Sequence, residues 1–393
     1  MEVKEITFAE YEEFNKQLPN YNLFQTTQIT QIRNINYDDV KILGLFAEEK
    51  IIGTIQLLIE IIPYFKKKMG ITIKGLNFDV TNKTILSEFK EAMQSYLKKN
   101  NFLFFRIDLN IAVNFYNAEF ELLEQKDALP NFPYDNNLKE KLRQSSYLEV
   151  KIDPNYMGRS PQWSMLVDTK DEETIKKQFN RSVKRAIKTA KEIGIEIIKS
   201  NKSSTDIQEF YRLHKLNAQK NQIGVMNLDY YQKLCECSNI NLYLVKINKD
   251  KFLEYATIKY AGSNTPKNKE LLTLAQKYID KEVVLGHLSG MYNNIGYDMF
   301  TGLNYDYKTL GLKEALMEFI FLDAAQNKIS YYDFWGIVAG KEYKNDPLYP
   351  IYLFKKKFSN IIVEYPGFWD ISTNPFMYKI FMYLYKKRYQ KKH

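Results

Sequence analysis

Residues 331–360 have the sequence YYDFWGIVAGKEYKNDPLYPIYLFKKKFSN, in which an aromatic segment precedes a run of lysines. The aromatic segment predicts a strand that ends in FWGI at residues 334–337. A polar loop separates this strand from residues 349–358, an aromatic and basic run that contains Phe354 and Lys355. A strand that opens through glycine into a loop is typical of the wall of a ligand-binding cleft. A buried core strand beside a solvated lysine cluster has the same spacing, so both interpretations stay open at this point.

Length and composition set the first limits on the fold. At 393 residues, the chain exceeds what one hydrophobic core usually supports, so we expect two domains. Hydrophobic residues make up 45% of the sequence, which is enough for sizeable cores. Lysine and arginine number 56 against 47 aspartates and glutamates, giving a net charge of +9. This excess favours a polyanionic partner or an anionic membrane surface.

Several classes of chemistry find no support in the sequence. Cys235 and Cys237 are the only cysteines, and two positions apart on a predicted helix they would point in different directions. This argues against a disulfide or a pair of metal ligands. The three histidines lack metal-ligand spacing, and two of them lie in ordinary helix or loop contexts, so we expect neither a metal nor another cofactor. The segment that begins at Met1 is acidic and amphipathic, without the apolar core of a signal peptide.

Two basic segments carry aromatic neighbours. Residues 63–68, PYFKKK, predict a basic turn, and the last helix, starting at residues 374–375, ends in a cluster of cations that includes Lys391 and Lys392. Aromatic residues followed by cations suit an anionic bilayer or RNA, although a frayed solvated tail is the alternative. No apolar run approaches the ~20 residues that a membrane-spanning helix needs. We therefore expect a cytoplasmic monomer, with peripheral contact at the inner face of the membrane as an option.

Helices and strands alternate along the chain, which indicates an α/β layer. In the first part, helices are predicted at 8–17 and 85–99 and strands at 40–46, 50–62 and 102–109. Residues 127–165 are rich in proline and predict a connection between domains, with a short helix at 137–143. In the second part, strands are predicted at 163–168, 195–199, 242–247, 252–260 and 329–334, and helices at 171–193, 204–221, 265–281 and 312–327.

The segment 171–193 gives the strongest helical pattern. Its apolar residues share one face, and a stripe of cations that includes Arg181, Lys184 and Lys188 lies on the opposite face. Gly194 is expected to end the helix. A solvated face is the ordinary meaning of such a stripe, but it could also follow an RNA backbone, and binding would then weaken steeply with salt.

The stretch 331–358 resembles the signature "YDFxGI … LYxFKxxF" of the Fem-type (FemABX) aminoacyltransferases, which extend the peptide stem of peptidoglycan precursors from aminoacyl-tRNA. The resemblance implies an α/β (α+β) fold with two acyltransferase-like (GNAT-type) domains and mixed sheets. Domain 1 would comprise 1–150, completed by 361–393, and domain 2 would comprise 151–360. Many members carry a long coiled-coil arm, whereas the insert at 265–281 has room for one helix of about four turns. We therefore expect the arm to be short or absent.

The resemblance also implies roles for residues of the first domain. Gln25 matches the glutamine of the family's first motif, and Arg33 stands where the family has a lysine that contacts precursor phosphates. Arginine keeps that charge and adds bidentate geometry. Arg106 and Asp108 match the family's Arg-x-Asp-Pro, with Leu109 in place of proline. Asp108 would orient the incoming ammonium group, although a strand-end aspartate satisfied by Arg106 or by loop amides is an equally ordinary arrangement.

In the second domain, the resemblance selects Lys355 as the cation that stabilises the oxyanion, with Phe354 beside it in the active site. Lys220 matches a phosphate-binding arginine. Tyr230 corresponds to one of two paired aromatics, and Tyr332 belongs to the cleft wall. The cations of 171–193 become candidate tRNA contacts. Lys356 and Lys357 adjoin Lys355, and only the family pattern separates the three.

These observations predict an enzyme that moves glycine, alanine or serine from aminoacyl-tRNA to the stem amine of lipid II or UDP-MurNAc-pentapeptide. An acyl-CoA-dependent N-acyltransferase of the same fold is an alternative, but the sequence lacks the Gln/Arg-x-x-Gly-x-Gly/Ala loop that binds pyrophosphate. A non-catalytic RNA-binding protein is a further alternative. It would explain the charge and leave the aromatic and basic motifs of 331–358 unexplained.

Overall fold

The computed structural model describes residues 1–19, 21–151, 160–263, 265–280 and 282–390. The chain forms two compact units, each with its own core. Unit 1 comprises Met1–Met165, Gly336–Tyr352 and Ile361–His393. Unit 2 comprises Leu166–Trp335 and Leu353–Asn360. The chain therefore leaves unit 1, builds most of unit 2, and then returns twice to unit 1.

Strands and helices alternate through both units. The strands are β1 (Glu2–Glu5), β2 (Asp39–Ala47), β3 (Lys50–Ile62), β4 (Lys67–Ile71), β5 (Phe102–Asp108), β6 (Asn114–Tyr116), β7 (Leu122–Leu123), β8 (Leu148–Glu149), β9 (Trp163–Asp168), β10 (Ile195–Lys199), β11 (Ile240–Ile247), β12 (Leu285–Tyr292), β13 (Ile295–Leu303), β14 (Tyr331–Gly336), β15 (Ile361–Glu364) and β16 (Phe368–Ser372). The α-helices are α1 (Phe8–Asn15), α2 (Thr27–Arg33), α3 (Lys83–Lys99), α4 (Gln125–Ala128), α5 (Leu138–Gln144), α6 (Glu172–Gln178), α7 (Arg181–Glu192), α8 (Ser204–Asn221), α9 (Leu228–Glu236), α10 (Lys249–Tyr260), α11 (Pro266–Lys277), α12 (Leu312–Gln326), α13 (Tyr349–Lys355) and α14 (Pro375–Gln390).

Unit 1 is built on a mixed sheet with the strand order β1-β2-β3-β4-β5-β16-β8. Its neighbours are antiparallel except for β4 and β5, which run parallel. All seven residues of β5 are buried, as its continuous apolar run predicts. Helix α3 buries one side chain per turn against this core, and these are the four that its spacing predicts: Leu86, Phe89, Met93 and Leu97.

Unit 2 contains a second mixed sheet, in which β10, β11, β12, β13 and β14 follow one another. The first four are antiparallel, and β14 pairs in parallel with β13 through Tyr332 and its neighbours. Helix α12 is buried along most of its length, consistent with its strongly apolar sequence. The expected mixed α/β fold is confirmed. The assignment of an acyltransferase-like domain to 1–150 and to 151–360 stays a prediction.

The prediction of one helix over 171–193 is wrong, because the segment contains two helices. Helix α6 ends at Gln178, and Phe179 adopts an extended conformation. Asn180 then begins α7, where its side chain accepts hydrogen bonds from the backbone N–H groups of Ser182 and Val183. The backbone N–H of Asn180 donates to the carbonyl of Lys357 at 2.9 Å. Asparagine favours such capping positions over helix interiors. The bonds to the Asn180 side chain therefore begin a new helix at a point where the apolar pattern of the sequence is continuous.

The predicted strand at 252–260 is also wrong, since these residues belong to helix α10. Asn248 caps α10 by accepting a hydrogen bond from the N–H of Lys251. Helix α11, within the expected insert, packs against α10 through buried residues such as Phe252 and Leu271. The insert at 265–281 contains one helix among its described residues, as predicted, and that helix packs against α10, which had been predicted as a strand.

Some of the sequence-based expectations concern residues outside those described. They are residues 152–159 of the expected connection between domains, Lys281 of the insert, and Lys391 and Lys392. Among the helices that the structure describes, none combines the length and the apolar character needed to cross a bilayer.

Candidate functional site

Burial separates Lys355 from the two lysines that follow it. Lys355 is the last residue of helix α13 and is only 6% exposed, whereas Lys356 and Lys357 are half-buried. Its Nζ lies 5.6 Å from the ring centre of Phe334, a residue of strand β14. Phe354 also packs near this ring, with 6.3 Å between the two ring centres. An aromatic face near a buried ammonium group offers electrostatic attraction in place of water.

The surroundings of Lys355 change its proton affinity. Burial lowers the pKa of Lys355 to about 8, while the negative charges of Asp298 and Asp333 act in the opposite direction. Asp333 is itself buried, and its Oδ1 accepts a hydrogen bond of 2.8 Å from the backbone N–H of Trp335. Lys355 therefore carries its charge at neutral pH and loses it just above, within a poorly solvated part of unit 2.

His287 lies at the centre of a polar network on the same sheet. It is fully buried on β12, with its Nδ1 2.9 Å from Oγ1 of Thr301. Its Nε2 lies 3.5 Å from Oδ1 of Asp298 and 3.5 Å from the hydroxyl of Tyr332. The Tyr332 hydroxyl lies 2.9 Å from Oγ of Ser289. The network thus links strands β12, β13 and β14.

This network holds Asp298, the first of the two carboxylates that act on Lys355. Burial lowers the pKa of His287, against the opposing influence of Asp298, so the imidazole is neutral at physiological pH. A neutral imidazole beside Asp298 can restrain the carboxylate without neutralising it. The description of the histidines as ordinary therefore missed His287. Its partner Tyr332 is 45 positions away along the chain, and no local motif signals the contact.

Tyr332 occupies the core of unit 2. The residue is fully buried, and its ring packs against Phe321 of α12 with 5.2 Å between ring centres. Gly296, directly opposite on β13, leaves the space that the Tyr332 ring fills, because an added Cβ would lie 2.5 Å from the ring. Tyr332 therefore contributes its hydroxyl to the buried network.

The other predicted binding residues of unit 2 lie on helices. Lys220 is exposed near the end of α8, with its Nζ 3.7 Å from the ring centre of Tyr305. Tyr230 is half-buried on α9, edge-to-face with the buried Tyr231 at 5.3 Å between ring centres. Tyr231 packs in the core, which agrees with a structural role for one of the paired aromatics.

Helix α7 presents its predicted cations to solvent. Arg181, Lys184 and Lys188, here called the α7 cations, are all exposed and follow helical spacing along one face. Lys188 lies 3.8 Å from Glu192, an exposed pair that contributes little to stability. Because the helix is interrupted at Asn180, Lys177 lies on α6. The stripe of cations is therefore continuous only along α7.

Unit 1 contains a second cluster of buried polar groups, which includes Gln25. The Gln25 amide donates to the carbonyl of Ile73 at 2.6 Å, and its Oε1 accepts from the Tyr11 hydroxyl at 3.1 Å. Arg33 ends helix α2, where its Nη1 donates to Oε1 of Gln56 at 2.7 Å. Gln25 is fully buried, whereas Arg33 is half-buried.

Asp108 ends strand β5 and is buried. Its Oδ2 accepts a hydrogen bond of 3.0 Å from the backbone N–H of Lys74. Burial raises the pKa of Asp108, while the Lys74 charge and this hydrogen bond act to lower it, with Arg33 contributing less. The Lys74 side chain is buried with its Nζ 3.1 Å from the ring centre of Tyr365. Sequence reasoning missed Lys74, because only the fold brings residues 74, 108 and 365 together.

Arg106 pairs with Asp370 and not with Asp108, the acidic residue of its own motif. Its Nε and Nη2 donate to the two carboxylate oxygens of Asp370, at 2.9 and 2.8 Å. Both side chains are buried, and Tyr378 donates its hydroxyl to the same carboxylate at 2.7 Å. This pair links β5 to β16 and α14. The contacts of Arg106 are therefore those of a structural ion pair.

Each unit thus combines a mixed sheet with helices and a cluster of buried polar groups, and sequence comparison identifies the class of protein. The FemAB family model matches residues 6–265 and 255–386. The chain therefore belongs to the FemAB family.

Individual relatives agree over nearly the full length. The chain is 22% identical over 416 residues to the lipid II:glycine glycyltransferase of Staphylococcus haemolyticus (strain JCSC1435), covering 97% of this chain and 95% of that protein. The enzyme of the same name from Staphylococcus saprophyticus subsp. saprophyticus is 21% identical over 415 residues, with the same coverage. The crystal structure of FemX superimposes with a TM-score of 0.73 at 17% identity, covering 97% of this chain and all of that one. This likeness shows a common fold.

Proposed function

We propose that this protein transfers an aminoacyl group from aminoacyl-tRNA to the stem amine of a peptidoglycan precursor. Glycine is the first amino acid to test, and lipid II is the first acceptor. Both are chosen because relatives that match almost the whole chain are lipid II:glycine glycyltransferases. Alanine and serine are the other candidate amino acids, and UDP-MurNAc-pentapeptide is the soluble candidate acceptor. The observation that carries the proposal is the burial of Lys355 within the family's aromatic and basic motif.

The reaction requires positioning and charge stabilisation more than covalent catalysis. The acceptor amine attacks the ester carbon, a C–N bond forms, and the ester C–O bond breaks. The ribose oxygen leaves with the proton that the amine gives up. Negative charge develops on the carbonyl oxygen during attack, and one well-placed donor in a water-poor site lowers that barrier by roughly 3 kcal/mol. Lys355 is the proposed donor, with Phe354 shielding it from water.

The network around His287 supports this role. Asp298 and Asp333 favour the charged form of Lys355, and the desolvation that lowers its pKa would strengthen its attraction for an oxyanion. Asp298, restrained by His287, is therefore proposed as a positioning residue. Tyr332 is proposed to act with it, through the hydroxyl that it contributes to the network.

Unit 1 is proposed to hold the acceptor. Arg33 is half-buried and carries a guanidinium group, whose geometry suits a phosphate group, and Gln25 holds the segment at Ile73 through a hydrogen bond. Asp108 is proposed to orient the incoming ammonium group, and its pKa, raised by burial, suits it to accept the proton that the amine releases. Arg106 is assigned to the scaffold because Asp370 occupies its guanidinium fork.

Two further contacts complete the proposed binding of substrates. Lys220 and Tyr230 are proposed to contact the acceptor on unit 2, and the α7 cations to contact the tRNA backbone. The exposure of Lys220 and of the α7 cations is consistent with contact to large substrates.

Radiolabel transfer from glycyl-tRNA tests the proposal directly. The purified full-length protein is incubated with lipid II in one arm and UDP-MurNAc-pentapeptide in the other, and labelled acceptor is separated by chromatography. We expect transfer in at least one arm and its loss in Lys355→Met. Lys356→Met is the matched control, since that side chain is half-exposed, and should retain turnover. Absence of transfer from glycyl-, alanyl- and seryl-tRNA in both arms would contradict the proposal.

The two alternatives give different results. An acyl-CoA-dependent enzyme would be stabilised against thermal unfolding by acetyl-CoA, whereas the proposed enzyme shows no shift. A non-catalytic RNA-binding protein would bind tRNA in a salt-sensitive manner and transfer nothing. It would also leave the buried charge of Lys355 without a use.

A further inference from the structure

Helix α14 carries an exposed apolar stripe. Phe376, Ile380, Tyr383 and Leu384 lie at the spacing of one helical face, and each side chain is between 40% and 74% exposed. Contiguous apolar surface of this kind usually marks an interaction site.

The opposite face of α14 fixes the direction of this stripe. Tyr378 and Met382 are buried in a cluster with Phe104 of strand β5. The ring of Phe381 packs on Phe104 at 5.1 Å between ring centres, and the Tyr378 hydroxyl is bonded to the buried Asp370. The helix is therefore anchored to the sheet, and its apolar stripe points away from the core.

The turn between β3 and β4 extends this surface. Phe65 of the turn packs edge-to-face on Phe381, with 6.0 Å between ring centres, which brings the two elements together. Tyr64, the neighbour of Phe65 in the turn, is fully exposed. We call the combined surface the α14 face. It consists of Tyr64, Phe376, Ile380, Tyr383 and Leu384.

Cations border the α14 face. Lys379, Lys386 and Lys387 are exposed on the helix, and Lys66 is exposed on the turn. The Nζ of Lys387 lies 4.7 Å from the ring centre of Tyr383, so apolar and positive groups interleave. Residues 375–390 contain no aspartate or glutamate, and Glu60 is the only acidic residue in 60–68. The charge of this surface is thus complementary to a negative one.

We propose that the α14 face docks the protein on the surface of an anionic phospholipid bilayer. The apolar side chains would enter the boundary between headgroups and acyl chains, while the lysines contact lipid phosphates. Amphipathic helices with aromatic and aliphatic residues on one face and lysines beside them bind bilayers in this way. RNA would be held by the lysines alone, leaving the aliphatic side chains of Ile380 and Leu384 in water.

Co-sedimentation with vesicles tests this docking without any peptidoglycan precursor. The full-length protein is pelleted with two series of vesicles. One series contains phosphatidylcholine and phosphatidylglycerol mixed 3:1, and the other contains phosphatidylcholine alone. We expect the anionic vesicles to bind at least about tenfold more strongly, because each lysine near the surface contributes about a fivefold change in partitioning. The Lys379→Gln variant should bind anionic vesicles about fivefold more weakly than the unaltered protein. High salt should reduce this difference.

Paired variants separate the apolar contribution from charge. Phe376→Gln with Leu384→Gln leaves the net charge unchanged and should reduce binding to anionic vesicles at least about tenfold, as expected from the apolar area withdrawn from the bilayer. The matched control, Ile223→Gln with Ile258→Gln, alters two exposed isoleucines of unit 2 and should bind as the unaltered protein does. Circular dichroism melts of both pairs should match the unaltered protein, since all four side chains are exposed.

Two outcomes would overturn the proposal. One is equal binding by the Phe376→Gln, Leu384→Gln variant and the unaltered protein. The other is no vesicle binding together with salt-sensitive tRNA binding that Lys379→Gln weakens and the apolar pair leaves intact, which would assign the surface to RNA. Because the vesicles contain no acceptor, docking and aminoacyl transfer can each fail without the other.

Discussion

Replacing Lys355 with methionine removes the buried ammonium group and keeps a side chain of similar length. If this group stabilises the oxyanion, the turnover number should fall about 10²–10³-fold, the usual effect of removing one such donor. Acceptor affinity should stay the same, since the proposed phosphate contacts come from other residues. The loss should therefore appear in kcat and in kcat/KM to the same extent.

The same substitution should increase stability. The pKa of Lys355 falls from its ordinary value of 10.5 to about 8 in the folded protein, so the charged form is disfavoured there relative to the unfolded chain. The destabilisation is fully present below pH 8, declines as pH rises from about 8 to 10.5, and is absent above that window. At pH 7 it amounts to about 3 kcal/mol. Lys355→Met should raise the free energy of unfolding by up to this amount at pH 7, and by less at pH 10.

The pH dependence of transfer completes this test. Single-turnover rates, corrected for spontaneous loss of the aminoacyl ester, are divided by those of Lys355→Arg at the same pH, because the acceptor amine also loses a proton and becomes nucleophilic over this range. The quotient should fall about tenfold per pH unit above about 8, as Lys355 loses its proton. Lys355→Arg keeps its charge throughout and should lack this decline. Wild-type turnover in Lys355→Met, or an equal loss in Lys356→Met, would refute the assignment. So would a quotient of these two rates that does not change between about pH 7.5 and 9.5.

Three other predictions concern the surroundings of this group and the remaining contacts. Asp298→Asn should move the alkaline decline in rate to lower pH, because its charge favours protonated Lys355; an unchanged midpoint would count against the positioning role. Arg106→Gln should lower the free energy of unfolding in urea by about 3–5 kcal/mol by leaving Asp370 buried without its partner; a change under about 1 kcal/mol would contradict the scaffold role. Neutralising the three α7 cations should reduce the slope of log affinity for tRNA against log salt by about 2; an unchanged slope would show that tRNA binds elsewhere.

Local periodicity was enough to predict the elements that meet the core through regular patterns. The spacing of Leu86 and Phe89 predicts the buried face of α3, and the apolar run of β5 predicts a buried strand. Two errors arose where an asparagine changed the local structure. Asn180 divides a continuous helical pattern, and Asn248 begins a helix in residues whose β-branched and aromatic content also suits a strand.

The candidate sites depended on contacts between distant parts of the chain. Nothing in the sequence KKK distinguishes Lys355 from its neighbours, and the family pattern alone selected it. In the structure, burial at the end of α13 makes the same distinction. His287 and Lys74 were missed because their partners are 45 and 34 positions away in sequence, brought close by strand pairing. Sequence spacing carries little information about contacts between residues so far apart in the chain.

The placement of strand β16 has a consequence for biosynthesis. This strand pairs with both β5 and β8 in the sheet of unit 1, yet it is translated only after nearly all of unit 2. At elongation rates of about 5–20 residues per second, the first part of unit 1 waits about 10–40 s for its missing strand. During this interval, β5 presents an edge of unpaired backbone N–H and C=O groups, to which chaperones or other chains can bind. Unit 2 can therefore complete its fold first, although it begins second.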